Sequence, residues 1–170
     1  GRLYDVDARL RPSGGQGLLV TSFDSFEEYH HETAAPWERA ALLRARVVYA
    51  SRTPGVVPPP ARTPTAPSPF VARLDRIAYE HDTDEPPMRE ELVRMRQRIE
   101  AERAKDGRGV LHLRFSPGGL TDCEFMAAYG QLRHGATSPA VRRSSPYEAL
   151  AALVDAGLVP GGGTLLEDYR

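Results

Sequence analysis

The sequence predicts a mostly α fold, a helical bundle preceded by a short β ribbon. Three observations carry that expectation. Apolar residues recur at helical spacing through residues 22–48 and 70–157, whereas strict alternation is confined to residues 3–11. Nine of the fifteen prolines fall between Pro54 and Pro87, most of them in TPGVVPPPARTPTAPSP, where neither a helix nor a central strand can persist.

Taken in order, LYDVDARLR places Tyr4, Val6, Ala8 and Leu10 on one face and Leu3, Asp5, Asp7, Arg9 and Arg11 on the other, the pattern of a half-buried strand. PSGGQG is a turn signal, after which LLVTS is expected to return as a second strand. Ser22 caps an expected helix over SFDSFEEYHHE. In PWERAALLRARVV, Trp37, Ala41, Leu42 and Ala45 share a helical face, with Pro36 tolerated in the first turn. Residues 51–69 read as an exposed loop or linker dividing segment 1–50 from segment 70–170.

In the second segment, Phe70, Leu74, Ile77 and Ala78 form one stripe, and Met88, Leu92, Met95 and Ile99 form the next, with Glu90 and Arg94 as an i,i+4 pair and Gly107 as the stop. VLHLRF reads as a short extended stretch before the turn SPGG. Thr121 and Glu124 have capping-box spacing ahead of the stripe Phe125, Ala128, Tyr129 and Leu132. Ser145 and Glu148 repeat that spacing, with Pro146 at the first position and Gly157 as terminator; LLEDYR reads as a further helix.

Composition narrows the function classes. The 170 residues carry 22 basic and 23 acidic side chains, a formal net charge of -1, which excludes the basic footprint of a general nucleic-acid binder. Apolar runs of only a few residues exclude a membrane-spanning helix. Cys123, the single cysteine, excludes an internal disulfide and a thiolate zinc site, and predicts a reducing, cytoplasmic setting. The five histidines show no metal-ligand spacing. The N-terminus has neither an initiator methionine nor a signal peptide, so a piece of a longer chain is expected.

The strand 3–11 concentrates the chemistry. Asp5 and Asp7 are hard oxygen ligands suited to Mg²⁺, and Arg9 and Arg11 on the same face are spaced to fork onto phosphate oxygens. Such a face suits phosphoryl or nucleotidyl transfer. A solvated strand face with cross-strand ion pairs is the competing reading. Gly118 and Gly119 offer amides to an anion at a helix start, or simply form a tight turn; Asp122 is a better functional candidate than Glu124, which capping explains. Trp37 reads as core, and Glu38 as an ion pair with Arg44 or Arg46 that either is local or steadies the site.

Four blocks carry a family resemblance: LYDVDARLRPSGGQGLLVTSF, YHHETAAPWERAALLRARVVYA, SPGGLTDCEFMAAYGQL and, more weakly, LLEDYR. In this order and spacing the chain resembles the bacterial glutamine synthetase adenylyltransferases. RPSG, LLVTS, RARVVY and PGGLTD look most like the C-terminal, adenylylating half. The resemblance implies a nucleotidyltransferase core like that of DNA polymerase β, with residues 1–50 its C-terminal part and 70–170 a helical domain. It implies that Asp7 is the third metal-binding carboxylate, holding Mg²⁺ and orienting a tyrosine hydroxyl of glutamine synthetase against the α-phosphate of ATP, with Arg9 and Arg11 near phosphate. It also implies control by the PII signalling protein. The family's upstream D-x-D pair has no counterpart here, since Asp82-Thr83-Asp84 sits in the wrong place. The segment alone is therefore expected to be inactive. Departures are the long loop 51–69, Ala40-Ala41 and Ala127-Ala128. Two alternatives stand beside this reading: a non-catalytic helical module binding PII or glutamine synthetase, and a uridylyltransferase acting on PII.

Overall fold

A computed structural model of the chain describes residues 11–45, 69–80, 85–104 and 112–159. These form six helices: α1 (Phe23–Glu32), α2 (Pro36–Leu42), α3 (Pro69–Tyr79), α4 (Glu85–Arg103), α5 (Leu120–His134) and α6 (Pro146–Asp155). Short 3-10 turns occur at Gly14–Gln16 and Pro139–Val141. The mostly helical expectation holds.

Local chemistry explains most helix ends. The Ser22 hydroxyl accepts the Ser25 amide at 3.1 Å to start α1, and the Ser145 hydroxyl accepts the Glu148 amide at 3.4 Å to start α6. Pro36 opens α2, where Glu38 reaches back to the Ala35 amide at 3.2 Å. Gly157, with φ 69°, closes α6 as a left-handed terminator.

The β ribbon is not seen: no strand occurs among the described residues. Residues 3–10 of the expected first strand lie outside them. The expected return strand over 18–22 is irregular chain, bent at Leu19 and Val20, leading into α1, with Leu18, Leu19 and Val20 exposed. Alternation marks a segment able to pair, but a strand exists only through a ladder with another. VLHLRF is likewise not extended where it is described; residues 112–115 turn back so that the Phe115 and Ser116 amides both bond to the His112 carbonyl.

Helix α5 lies at the centre, packing against α2, α3, α4 and α6. One side of it, Ala128 and Leu132, joins Leu43, Ala78, Tyr79, Met88 and Leu92 in the main core, with Trp37, Phe125 and Tyr129 partly buried against it. The other side meets α6, where Ala127, Ala149 and Leu150 cluster with Cys123. There Gly130 is required by close approach, since a Cβ would stand 2.5 Å from a Leu153 methyl. Met88, Val141 and Leu153 are essentially fully buried, each contributing about 1.5–3 kcal/mol. Gln131, buried beside them, donates to the carbonyls of Val141 and Arg143, both at 2.8 Å. The expected stripes of α3, α4 and α5 all turn inward, although the side chain of Phe70 lies outside the described set.

Candidate functional site

Arg11 begins the described chain and organises the turn after it. Its Nε donates to the Gly17 carbonyl at 3.0 Å and its Nη2 to that of Gly15 at 3.2 Å. Ser13 and Gly14 adopt positive φ of 60° and 53°, and a Cβ on Gly17 would collide with the Pro12 carbonyl at 1.8 Å. Arg11 therefore shapes the PSGGQG turn. It also lines a cavity of about 470 Å³ with His30, Glu38, Ala41, Leu42 and Arg44.

The α1–α2 junction forms the far wall of that cavity. The Tyr29 hydroxyl donates to Glu38 Oε2 at 2.8 Å, and Arg39 donates to the His30 carbonyl at 2.6 and 3.2 Å. Burial, then the bond to Glu38, pushes the Tyr29 hydroxyl pKa up; burial holds the His30 imidazole below its usual range. Glu38 pairs with Tyr29 and the Ala35 amide, a different arrangement from the expected partner Arg44; Arg46 lies outside the described residues.

Gly118, Gly119 and Asp122 come together in one clasp. Asp122 Oδ2 accepts the Gly118 amide at 2.6 Å, while Oδ1 accepts Arg96 Nε. Arg96, only 8% exposed, also donates to Glu100 at 2.9 Å and to the Ser116 carbonyl at 3.3 Å. The Gly119 amide bonds to the Ser116 carbonyl at 2.9 Å, and a Cβ on Gly119 would meet three carbonyls within 2.9 Å. Both glycine amides are thus used inside the chain, and Asp122 ties the turn to α4.

This clasp corrects the expected Thr121–Glu124 capping box. Helix α5 starts two residues earlier, with Gly119 as its cap, so Thr121 falls inside the first turn, buried, with no partner for its hydroxyl among the described residues. Glu124 faces elsewhere, between Arg44 at 3.4 Å and Arg114 at 3.5 Å. These three rim an apolar cleft of about 320 Å³ containing Trp37, Met95 and Phe125.

Asp7 and Arg9 lie outside the described residues. Among those described, no three His, Cys, Asp or Glu side chains come together to hold a metal. Sequence reasoning missed the Arg44–Glu124–Arg114 junction, the buried His30 and the Arg96 clasp. The only signal for Arg96 was an arginine one position beyond the apolar stripe of α4.

Comparison with known proteins bears on these residues. The family model for glutamate-ammonia ligase adenylyltransferase matches residues 1–57. A bifunctional glutamine synthetase adenylyltransferase/adenylyl-removing enzyme of Caulobacter vibrioides is 39% identical over 168 residues, 95% of this chain. The chain is related to the glutamine synthetase adenylyltransferases. A protein of the same name from Mycobacterium avium is 36% identical over 157 residues, 92% of the chain. The chain spans only 15% and 14% of the length of these two relatives. Both similarities cover nearly all of the sequence. No described helix is long and apolar enough to cross a membrane.

Proposed function

We propose that this chain is part of an enzyme that transfers AMP from ATP to a tyrosine of glutamine synthetase, and that it belongs to the adenylylating half. The observation that carries the reading is 39% identity to a named adenylyltransferase along 95% of the chain. The blocks RPSG, LLVTS, RARVVY and PGGLTD support the choice of half. In the reaction the tyrosine oxygen bonds to the α-phosphorus of ATP, the bond to the β-phosphate oxygen breaks, and pyrophosphate leaves as the phenol loses its proton.

In this reading Asp7 orients the tyrosine hydroxyl, and Arg9 lies close to phosphate. Arg11 contributes chiefly by holding the turn that follows the strand, because its Nε and one terminal nitrogen bond to carbonyls. Mg²⁺ would neutralise phosphate charge, with Asp7 as one ligand. Among the described residues no three His, Cys, Asp or Glu side chains come together to hold it. Gly118 and Gly119 serve this reading by shaping the turn that Asp122 closes, their amides bonding to Asp122 and to the Ser116 carbonyl. Glutamine synthetase as substrate, PII as regulator and a cytoplasmic setting complete the proposal, as does inactivity of the 170-residue segment by itself.

The test uses the longer protein containing this segment, assayed for transfer of labelled AMP to glutamine synthetase. Asp7→Asn is expected to lower the rate at least a hundredfold while leaving the protein folded. Undiminished transfer overturns the catalytic role of Asp7, and transfer of UMP to PII in place of AMP to glutamine synthetase would move the chain to the uridylyltransferases.

A further inference from the structure

The apolar cleft of about 320 Å³ rimmed by Arg44, Arg114 and Glu124 is used neither by the Asp122 clasp nor by the proposed reaction. Three helices build its wall: α2 supplies Trp37, α4 supplies Met95 and Ile99, and α5 supplies Phe125. A space between bundle helices that is mostly apolar, with a few convergent polar groups, is the usual form of a small-molecule site, and this volume lies at the lower end of that class. Thr121 lines the cleft as well. It is 3% exposed, and its hydroxyl has no hydrogen-bond partner among the described residues. A core closed by its own side chains leaves few polar groups in that state. The hydroxyl gives the apolar wall one point of hydrogen bonding.

The rim selects by charge. Among the described lining residues, two guanidiniums stand against one carboxylate. Both reach the same oxygen, Glu124 Oε1, Arg44 at 3.4 Å and Arg114 at 3.5 Å. A strong charge-assisted bond is about 2.7–2.9 Å long, so these are loose, half-exposed pairs that a better partner can displace. Arg114 also lies over the Phe115 ring, 5.5 Å from its centre, which keeps its fork at the mouth. A second carboxylate between the two forks balances the rim and accepts from both.

We propose that this cleft binds a small monocarboxylic acid with an aryl or branched-alkyl body, the body lying against Trp37, Met95 and Phe125 and the carboxylate held by Arg44 and Arg114. The inference does not rest on the adenylyl-transfer reading. Charge and wall each exclude a class. A cation meets two guanidiniums at the mouth, and a fully polar anion leaves the apolar wall unused and is stripped of water there without return. Glu124 acts as the internal competitor for the arginines, so its charge works against the ligand.

The test uses the single tryptophan of the chain, Trp37, which stands in the cleft wall. Its fluorescence in the 170-residue chain is titrated with phenylbutyrate at constant ionic strength and neutral pH. A saturable change in emission is expected, with the neutral amide, phenylbutyramide, binding about tenfold more weakly. Acetate, a carboxylate without a body, should not compete at equal concentration. Arg44→Gln and Arg114→Gln, changes at exposed side chains checked for folding by circular dichroism, should each weaken phenylbutyrate about fivefold to tenfold. Glu124→Gln removes the competitor and should tighten binding about threefold, a direction that loss of a merely structural contact does not produce. Four results overturn the proposal: no saturable change up to millimolar phenylbutyrate, equal binding of acid and amide, equal competition by acetate, or weaker binding in Glu124→Gln. Parent affinity in both arginine variants overturns it as well.

Discussion

Replacing Arg96 by Met tests whether the Asp122 clasp is structural. Arg96 lies almost wholly inside, its side chain 9% exposed, and it bridges α4 to the turn before α5 through Asp122 and the Ser116 carbonyl. Removing one partner of a buried, hydrogen-bonded pair costs about 3–5 kcal/mol. Asp122 is 29% exposed and keeps the Gly118 amide, so water takes over part of the lost interaction and about 2–3 kcal/mol remains. With a urea m-value of about 2 kcal/mol/M, the unfolding midpoint should fall by about 1–1.5 M. Asp122→Asn keeps one oxygen for the Gly118 amide but turns its NH₂ toward Arg96 Nε, so it loses the charge and that hydrogen bond, a cost of about 2 kcal/mol. The double variant should show a coupling of about 1–2 kcal/mol. Urea unfolding followed by far-UV circular dichroism measures all four corners. Midpoints for both single variants within 0.2 M of the parent, on the order of the noise of the method, would refute the clasp and return Asp122 to the list of candidates for chemistry.

Four further expectations follow from the packing and the shifted groups. Gly130→Ala forces a methyl to within 2.5 Å of Leu153 and should cost about 1–2 kcal/mol despite better helix propensity; thermal unfolding reads it, and a stabilised variant would show that Leu153 can move aside. Ser22→Ala removes the α1 cap and should cost about 1 kcal/mol, read as loss of helix stability in urea. Because burial lowers the His30 pKa below 6.5, the unfolded chain takes up its proton first, so stability present above pH 6.5 is lost as pH falls through the folded value. His30→Gln should flatten that acid limb, and an unchanged limb would place its origin elsewhere. Tyr79, buried and pushed up to about 12 from 10.0, stabilises the fold below pH 10 and loses that contribution as pH rises from 10 through 12. Tyrosinate absorbance should show one residue titrating that late, and Tyr79→Phe should remove it.

The sequence by itself determined the helices and most of their inward stripes. Ser22, Pro36, Ser145 and Gly157 mark their ends through contacts only a few residues apart, which a linear reading can see. It also carries the similarity to the glutamine synthetase adenylyltransferases, because long ordered blocks survive where any one contact is invisible. Tertiary structure decided what the charged residues do. Glu124 has capping spacing from Thr121, yet Arg44 and Arg114 claim it from elements far away in the chain. Asp122 looked available for chemistry, but Arg96, 26 positions earlier, takes its carboxylate. The stripe Phe125, Ala128, Tyr129 and Leu132 is one of two buried sides of helix α5, so only packing reveals this helix as the centre. Helix propensity and caps are local and therefore legible in order along the chain. The partner of a charge is whichever opposite group the fold brings within about 4 Å, and one sequence carries no record of that distance.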